Sequence, residues 1–183
     1  MRHRSKRQNL KDIRKGRREA WEAVISQNYK SIYRFMAYLT ADVSLAEDLT
    51  QETFVSAWTN IDRFKGRASI GTWLHRIAYN KFIDARRNLE RRVASISGLG
   101  KPQPDVPETS NPLYRLMADE HSRLLYEAIR RLASPEYIVI VLHYIQGLTF
   151  RQMAKVLDVP VGTVKWQTSH ALKRLKGFLT GRV

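Results

Sequence analysis

Gly147-Leu148-Thr149-Phe150-Arg151-Gln152-Met153-Ala154-Lys155-Val156-Leu157-Asp158-Val159-Pro160-Val161-Gly162-Thr163-Val164-Lys165 reads as two short helices joined by a tight turn. Thr149 suits the N-cap of the first helix, because its hydroxyl can accept from a free amide of the opening turn. Phe150, Met153, Ala154 and Leu157 then recur at helical spacing as one buried face. A residue before proline is pushed out of the α region, so Asp158-Val159-Pro160 ends that helix. Pro160, whose missing N–H costs nothing there, can open the next. Val161, Val164, Ala171, Leu172 and Leu175 supply the second helix's apolar positions, while Thr163, Lys165, Trp166, Gln167, Ser169, His170 and Lys173 lie on its exposed face. This is the helix-turn-helix pattern, whose second helix enters the major groove of DNA. An αα-hairpin that only packs is the competing reading.

The remainder of the chain bears on that choice. At 183 residues it can hold one domain or two small ones. Its net charge of +15, from 32 Lys and Arg against 17 Asp and Glu, favours a polyanionic partner, either nucleic acid or an acidic membrane. No apolar run approaches the ~20 residues of a membrane span, and the basic N-terminus has no apolar segment behind it to make a secretory signal. Zero cysteines exclude disulfides and cysteine-rich zinc sites. A soluble cytoplasmic protein is the simplest fit.

Residues 1–18 form a basic tail with nine Lys/Arg and one acid, Asp12, to be read as a mobile solvated segment or a phosphate-tracking arm. Trp21, Val24, Ile25, Ile32, Phe35, Met36 and Leu39 predict an amphipathic helix over 19–40, with a break possible at Gln27-Asn28. Ser44 and Glu47 fit a capping box that opens a helix running to about Asn60. Leu45, Leu49, Phe54, Trp58 and Ile61 can face a core; Asp48, Gln51, Glu52 and Val55 fall on another face, too acidic for a DNA surface and suited to protein docking or plain solvation. The basic loop from Arg63 to Gly71, marked by two glycines, carries Phe64, Lys65 and Arg67 and leads into a helix from about Thr72 to Arg92. Around that helix's apolar stripe lie His75, Arg76, Tyr79, Asn80, Lys81, Arg86 and Arg87. Cations for phosphate, a ring for stacking and an amide for a base edge suit a nucleic-acid strand.

Residues 94–112, with four prolines and two glycines, read as a linker. Extended, it reaches roughly 60 Å, so the flanking domains can sit well apart. Beyond it Leu116, Leu124, Leu125, Ala128, Ile129 and Leu132 make one helix face. Tyr137 to Leu142 is β-branched enough for a strand, but its helical context and its end at Gly147 favour a buried helix. The fold class is therefore all-α: two small helical domains, 19–93 and 113–180, joined by a flexible linker, with the helix-turn-helix in the second.

No catalytic constellation appears. There is no cysteine nucleophile, phosphate-binding Gly-rich loop or His-x-x-x-His pair, and the five histidines are scattered. Asp48 and Glu52 could hold magnesium, as in a nuclease, but lack Lys and His partners at a useful spacing. No metal, cofactor or small-molecule substrate is expected.

Taken together, these stretches resemble an extracytoplasmic-function sigma factor, a class of small two-domain bacterial transcription initiation factors. Ala46-Glu47-Asp48-Leu49-Thr50-Gln51-Glu52-Thr53-Phe54 is similar to the family's region 2.2, and Thr72 to Asn80 with Asp84 and Arg86-Arg87 to regions 2.3 and 2.4. Val159-Pro160-Val161-Gly162-Thr163-Val164-Lys165 is similar to region 4.2. The resemblance implies that Asp48, Gln51, Glu52 and Val55 dock on the β′ clamp helices of core RNA polymerase, whose β subunit is a further partner. It implies that the loop with Phe64, Lys65 and Arg67, and Asn80 behind it, holds a base flipped from the −10 element, at an extrusion cost of a few kcal/mol. Arg76, Tyr79, Lys81, Asp84, Arg86 and Arg87 would complete the −10 surface. Arg151, Gly162, Thr163, Lys165, Trp166, Gln167, Ser169, His170, Lys173 and Arg174 would meet the −35 element. Promoter DNA and a cognate anti-sigma factor are the other implied partners. The recognition helix departs from the family: Trp166-Gln167 stands where Ser-Arg is common, and His170 where an Arg precedes Ala171. A free-standing helix-turn-helix regulator is the alternative function.

Overall fold

Helix α1 (Arg18–Thr40) opens the first of two helical groups in a computed structural model that describes residues 12–13, 17–97 and 120–181. Most of the basic tail, the linker from 98 onward, and Leu116 lie outside these residues. The break considered at Gln27-Asn28 does not occur: α1 runs unbroken through it, and the Asn28 side-chain Nδ2 donates to the Val24 carbonyl of the same helix at 2.8 Å. Ala41, in the left-handed region at φ 55°, ends α1 by donating its N–H to Ala37. Helix α2 (Val43–Thr59) is capped by Asp42, whose carboxylate accepts from Leu45 N–H at 2.9 Å. This corrects the expected Ser44–Glu47 capping box: the helix begins at Val43, which leaves Ser44 inside its first turn.

A short 3₁₀ turn (Ile61–Arg63) and a loop lead to α3 (Ile70–Ser97). Ser69 accepts from Thr72 N–H at 3.1 Å, so the helix starts before Thr72. It also runs past Arg92, so the first residues expected of the linker are helical.

The second group comprises α4 (Glu120–Arg130), α5 (Ser134–Ile140), α6 (Phe150–Leu157) and α7 (Val161–Leu179). Helix α5 fulfils the helical reading of Tyr137–Leu142, but it continues as a π turn over Val141–Ile145. Gly147, at φ 68°, supplies the left-handed residue that ends it. Thr149 caps α6 as expected, within a full capping box: its hydroxyl accepts from Gln152 N–H and Gln152 Oε1 accepts from Thr149 N–H. Asp158, at φ 58°, reverses the chain, and Pro160 precedes the first turn of α7. No strand occurs among the described residues.

The two groups share one core, although the linker's reach leaves room for separation. Ile32, Phe35 and Met36 of α1 and Leu74 and Ala78 of α3 belong to the same buried cluster as Val139, Leu142, Met153 and Val156. Merging two small cores buries a larger fraction of the chain than either would alone. A second cluster, of Ala128, Ile129, Leu132, Ile140, Ala171 and Leu175, ties α4 and α5 to α7. Polar contacts clasp the seam. Arg34 donates to the Ile145 carbonyl and the Tyr137 hydroxyl to the Tyr38 carbonyl, while Ser31 and Gln146 side chains meet at 2.9 Å. Leu45, Trp58, Leu124 and Leu125, expected in the core, are 39%, 41%, 51% and 44% exposed, because they lie at the edges of stripes whose centres are covered.

Candidate nucleic-acid interface

Helix α2 presents Asp48, Gln51, Glu52 and Val55 outward, with Val55 66% exposed among polar neighbours. Packing through Leu49, Thr50, Thr53, Phe54 and Ala57 fixes this face, since those residues bury the other side of the helix. Glu52 meets the Lys81 ammonium at 2.9 Å. Lys81 is thereby engaged by α2, away from the strand surface to which the sequence assigned it. Asp48 and Glu52 gain no third metal ligand: no group of three His, Cys, Asp or Glu that could hold an ion occurs among the described residues.

Helix α3 divides its residues among three directions. Arg76, Tyr79, Ile83 and Arg86, at helical spacing, turn toward the second group. Arg76 pairs with Asp158 at 2.9 Å, and Arg86 donates to Ser134 Oγ at 2.8 Å. Tyr79, Ile83 and Arg86 line a cleft of about 280 Å³ with Ser134, Leu157 and Gln167 opposite. Asn80, Asp84 and Arg87 face solvent. Lys81 faces α2.

In the loop, Lys65 and Arg67 are exposed, and the Arg67 carbonyl accepts from Lys155 Nζ at 2.5 Å. Phe64 does not belong to the exposed surface. It is 4% exposed and packs on Trp73 with ring centroids 5.0 Å apart, so in this structure it anchors the loop to the core and offers no exposed ring.

His75, on α3's buried side, lies against Phe35 at 5.3 Å between centroids. Its Nδ1 donates to the Gly71 carbonyl at 2.8 Å. Burial pulls its pKa below the ordinary histidine value, outweighing that hydrogen bond.

Helix α7 keeps Gly162, Lys165, Trp166, Ser169 and Lys173 exposed, with Arg151 of α6 also exposed and Thr163 and Gln167 half-buried. His170 and Arg174, which the sequence assigned to the same surface, are held by a residue it did not single out. Glu136 of α5, 8% exposed, contacts His170 Nδ1 at 2.6 Å through one oxygen and Arg174 at 3.0 Å through the other. At Ser134-Pro135-Glu136 it reads only as a first-turn acid, a common choice near a helix's positive end. Nothing local points to partners 34 and 38 residues away. Of the residues the sequence assigned to this surface, Lys165, Trp166, Ser169 and Lys173 stand outward on α7, and His170 is also exposed although its ring is tied to Glu136.

Residues 24–92 match the family model of sigma-70 region 2 and residues 122–175 that of sigma-70, region 4. The chain is 31% identical to the ECF RNA polymerase sigma factor SigW of Bacillus subtilis, over 93% of its own length and 94% of that protein's. It belongs to the extracytoplasmic-function sigma factors of the sigma-70 family. It is thus a promoter-directing sigma factor, which works with core RNA polymerase on promoter DNA. The ECF sigma factor SigC of Mycobacterium tuberculosis is also 31% identical, over 86% of this chain and 82% of that one. The fold resembles the sigma factor RpoE of Bartonella quintana, solved with the anti-sigma factor NepR. That likeness has a TM-score of 0.70 and 22% identity, over 87% of this chain and 96% of that one. CnrH, solved with the cytosolic domain of CnrY, has a TM-score of 0.68 and 22% identity, over 97% of this chain and 98% of that one. The homologues are sigma factors, which do not act as enzymes. No helix among the described residues is long and apolar enough to cross a membrane.

Proposed function

We propose that this sigma factor docks on the β′ clamp helices of core polymerase through Asp48, Gln51, Glu52 and Val55. The observation that carries this reading is an acidic, partly apolar face standing in solvent on a chain of net charge +15. A surface of that composition repels DNA phosphates and offers Val55 an apolar partner. The −10 strand is met by Lys65, Arg67, Asn80 and Arg87, which take part in no inter-helix salt bridge among the described residues, with Arg76, Tyr79 and Arg86 recruited when the cleft opens. The −35 element is read by α7, with phosphate contacts from Lys165, Lys173 and Arg151. The protein makes no bond; it positions polymerase and captures a strand. It works in the cytoplasm, in a stress or envelope response, and is held by an anti-sigma factor until a signal arrives.

Reconstitution with core polymerase tests this. Run-off transcription on genomic fragments should start at discrete sites. Asp48→Lys with Glu52→Lys should weaken core binding tenfold or more, about 1.4 kcal/mol or above, in a pull-down or titration. Unaltered core binding by that double variant would move the docking surface elsewhere. Specific operator binding without polymerase would favour the free-standing regulator.

A further inference from the structure

Trp166 is 65% exposed on α7, and its nearest exposed neighbours along the helix, Lys165 and Ser169, are polar. A large aromatic left in water among cations loses the value of its area unless a partner covers it. Its orientation is fixed from below. The His170 ring lies almost parallel to it, with centroids 5.3 Å apart and an interplanar angle of 16°. His170 is in turn tethered to Glu136 at 2.6 Å, and Arg174 takes the second carboxylate oxygen at 3.0 Å. Glu136 is buried in α5, so the indole rests on a shelf anchored to a different helix. One turn nearer the N-terminus, Gly162 places no side chain beside it, and a Cβ there would meet nothing within 4 Å. That end of a recognition helix is the one whose side chains reach base edges.

The chemistry of an indole narrows what it can read. It offers one N–H donor, no acceptor and a flat apolar surface. Cytosine presents an amino donor that it cannot satisfy, adenine sets such a donor beside its N7 acceptor, and guanine presents acceptors with no apolar group. Thymine presents a carbonyl acceptor beside a methyl group, and so matches both properties. We infer that Trp166 is a specificity-determining side chain for the −35 element and reads a thymine, with His170 and Glu136 as positioning residues. This rests on the reading of α7 as the −35 helix. A ring already held in place gives up little rotamer freedom on binding, so the shelf contributes through preorganisation. It also separates two roles on one helix face: the indole selects, while Lys165 and Lys173 hold phosphate regardless of sequence.

The test uses holoenzyme assembled from the full chain and core polymerase, on a promoter whose start site has been mapped. Each thymine of the −35 element, on either strand, is replaced by deoxyuridine, which deletes only the 5-methyl group. The wild type should lose about fourfold in promoter occupancy at one position, the worth of one buried methyl, and Trp166→Ala should lose nothing further there. Glu136→Gln and His170→Ala should shrink the uridine penalty at that position, with thermal midpoint and core affinity held as controls. His170→Phe, which keeps a ring beneath the indole but loses the tie to Glu136, should restore only part of it. An equal uridine penalty in wild type and Trp166→Ala at every position overturns the assignment to Trp166. A full penalty in both Glu136→Gln and His170→Ala overturns the positioning role. If scrambling the whole −35 element leaves wild-type transcription unchanged, the reading of α7 itself fails, and the inference with it.

Discussion

Helix α3 turns Arg76, Tyr79 and Arg86 inward against the helix-turn-helix, whereas α7 leaves Lys165, Trp166, Ser169 and Lys173 open to solvent. Both helices are basic and both carry an aromatic among their cations. The difference lies in how many sides of each are packed. Helix α3 is wedged between α2 and α6, with Leu74 and Ala78 fully buried, so a polar residue off its apolar stripe still meets a neighbour. Helix α7 packs along one stripe, Val164, Thr168, Ala171 and Leu175, and its opposite side meets water. A guanidinium with a carboxylate at 2.9 Å is already partly neutralised and offers fewer free donors to a phosphate, while Lys173 has no salt-bridge partner among the described residues. The same residue types thus make a ready surface on α7 and a partly committed one on α3.

Truncating the core beneath α3 should have the largest effect. Leu74→Ala should destabilise the chain by about 2–5 kcal/mol in urea titration. Because Leu74 shares one cluster with Met153 and Val156, probes in the two halves should report a single shifted transition. Two separate transitions, with only the first shifted, would mean that the halves fold independently and that α3's inward face is less committed than its contacts imply.

Acid gives the next effect, through His75 on α3. Burial holds His75 below its ordinary value of 6.5, so the neutral ring belongs to the folded state. As pH falls the unfolded chain takes up this proton first, so the contribution is complete above the unfolded value and is lost as pH falls toward the depressed one. The urea midpoint should therefore drop as pH falls through and below the ordinary value of 6.5, and His75→Asn should flatten that slope. An undiminished slope in the variant would assign the acid sensitivity to another group.

The smallest effect separates commitment from stability. Asp158→Asn removes Arg76's partner, and with both side chains part-exposed the stability change should stay below about 1 kcal/mol. Affinity of the free chain for a single-stranded −10 oligonucleotide should rise, because Arg76 is released. Unchanged affinity would show that Arg76 is not on the strand's path.

The helix-turn-helix was legible because its signals are local. Thr149 caps, Asp158 reverses the chain and Pro160 starts the next helix, all within a dozen residues. The acidic face of α2 was equally legible, since helical spacing alone separates Asp48, Gln51, Glu52 and Val55 from Leu49 and Phe54. Phe64 misled because an aromatic in a basic loop has the same pattern whether it stacks on a base or on Trp73. His170 and Arg174 misled for a related reason. Their helical position places them outward, and only the approach of α5 supplies the carboxylate that claims them.

The sequence by itself determined the all-helical architecture, the cap and turn residues, the excess of cations and the family, because these depend on spacing along a single chain segment. Tertiary structure decided which cations remain available, that the two helical groups share a core, and that an indole stands on a histidine tied to Glu136. Those outcomes depend on side chains brought together across tens to more than a hundred residues, where burial and charge pairing are set by the neighbouring helix and not by the one that carries the residue.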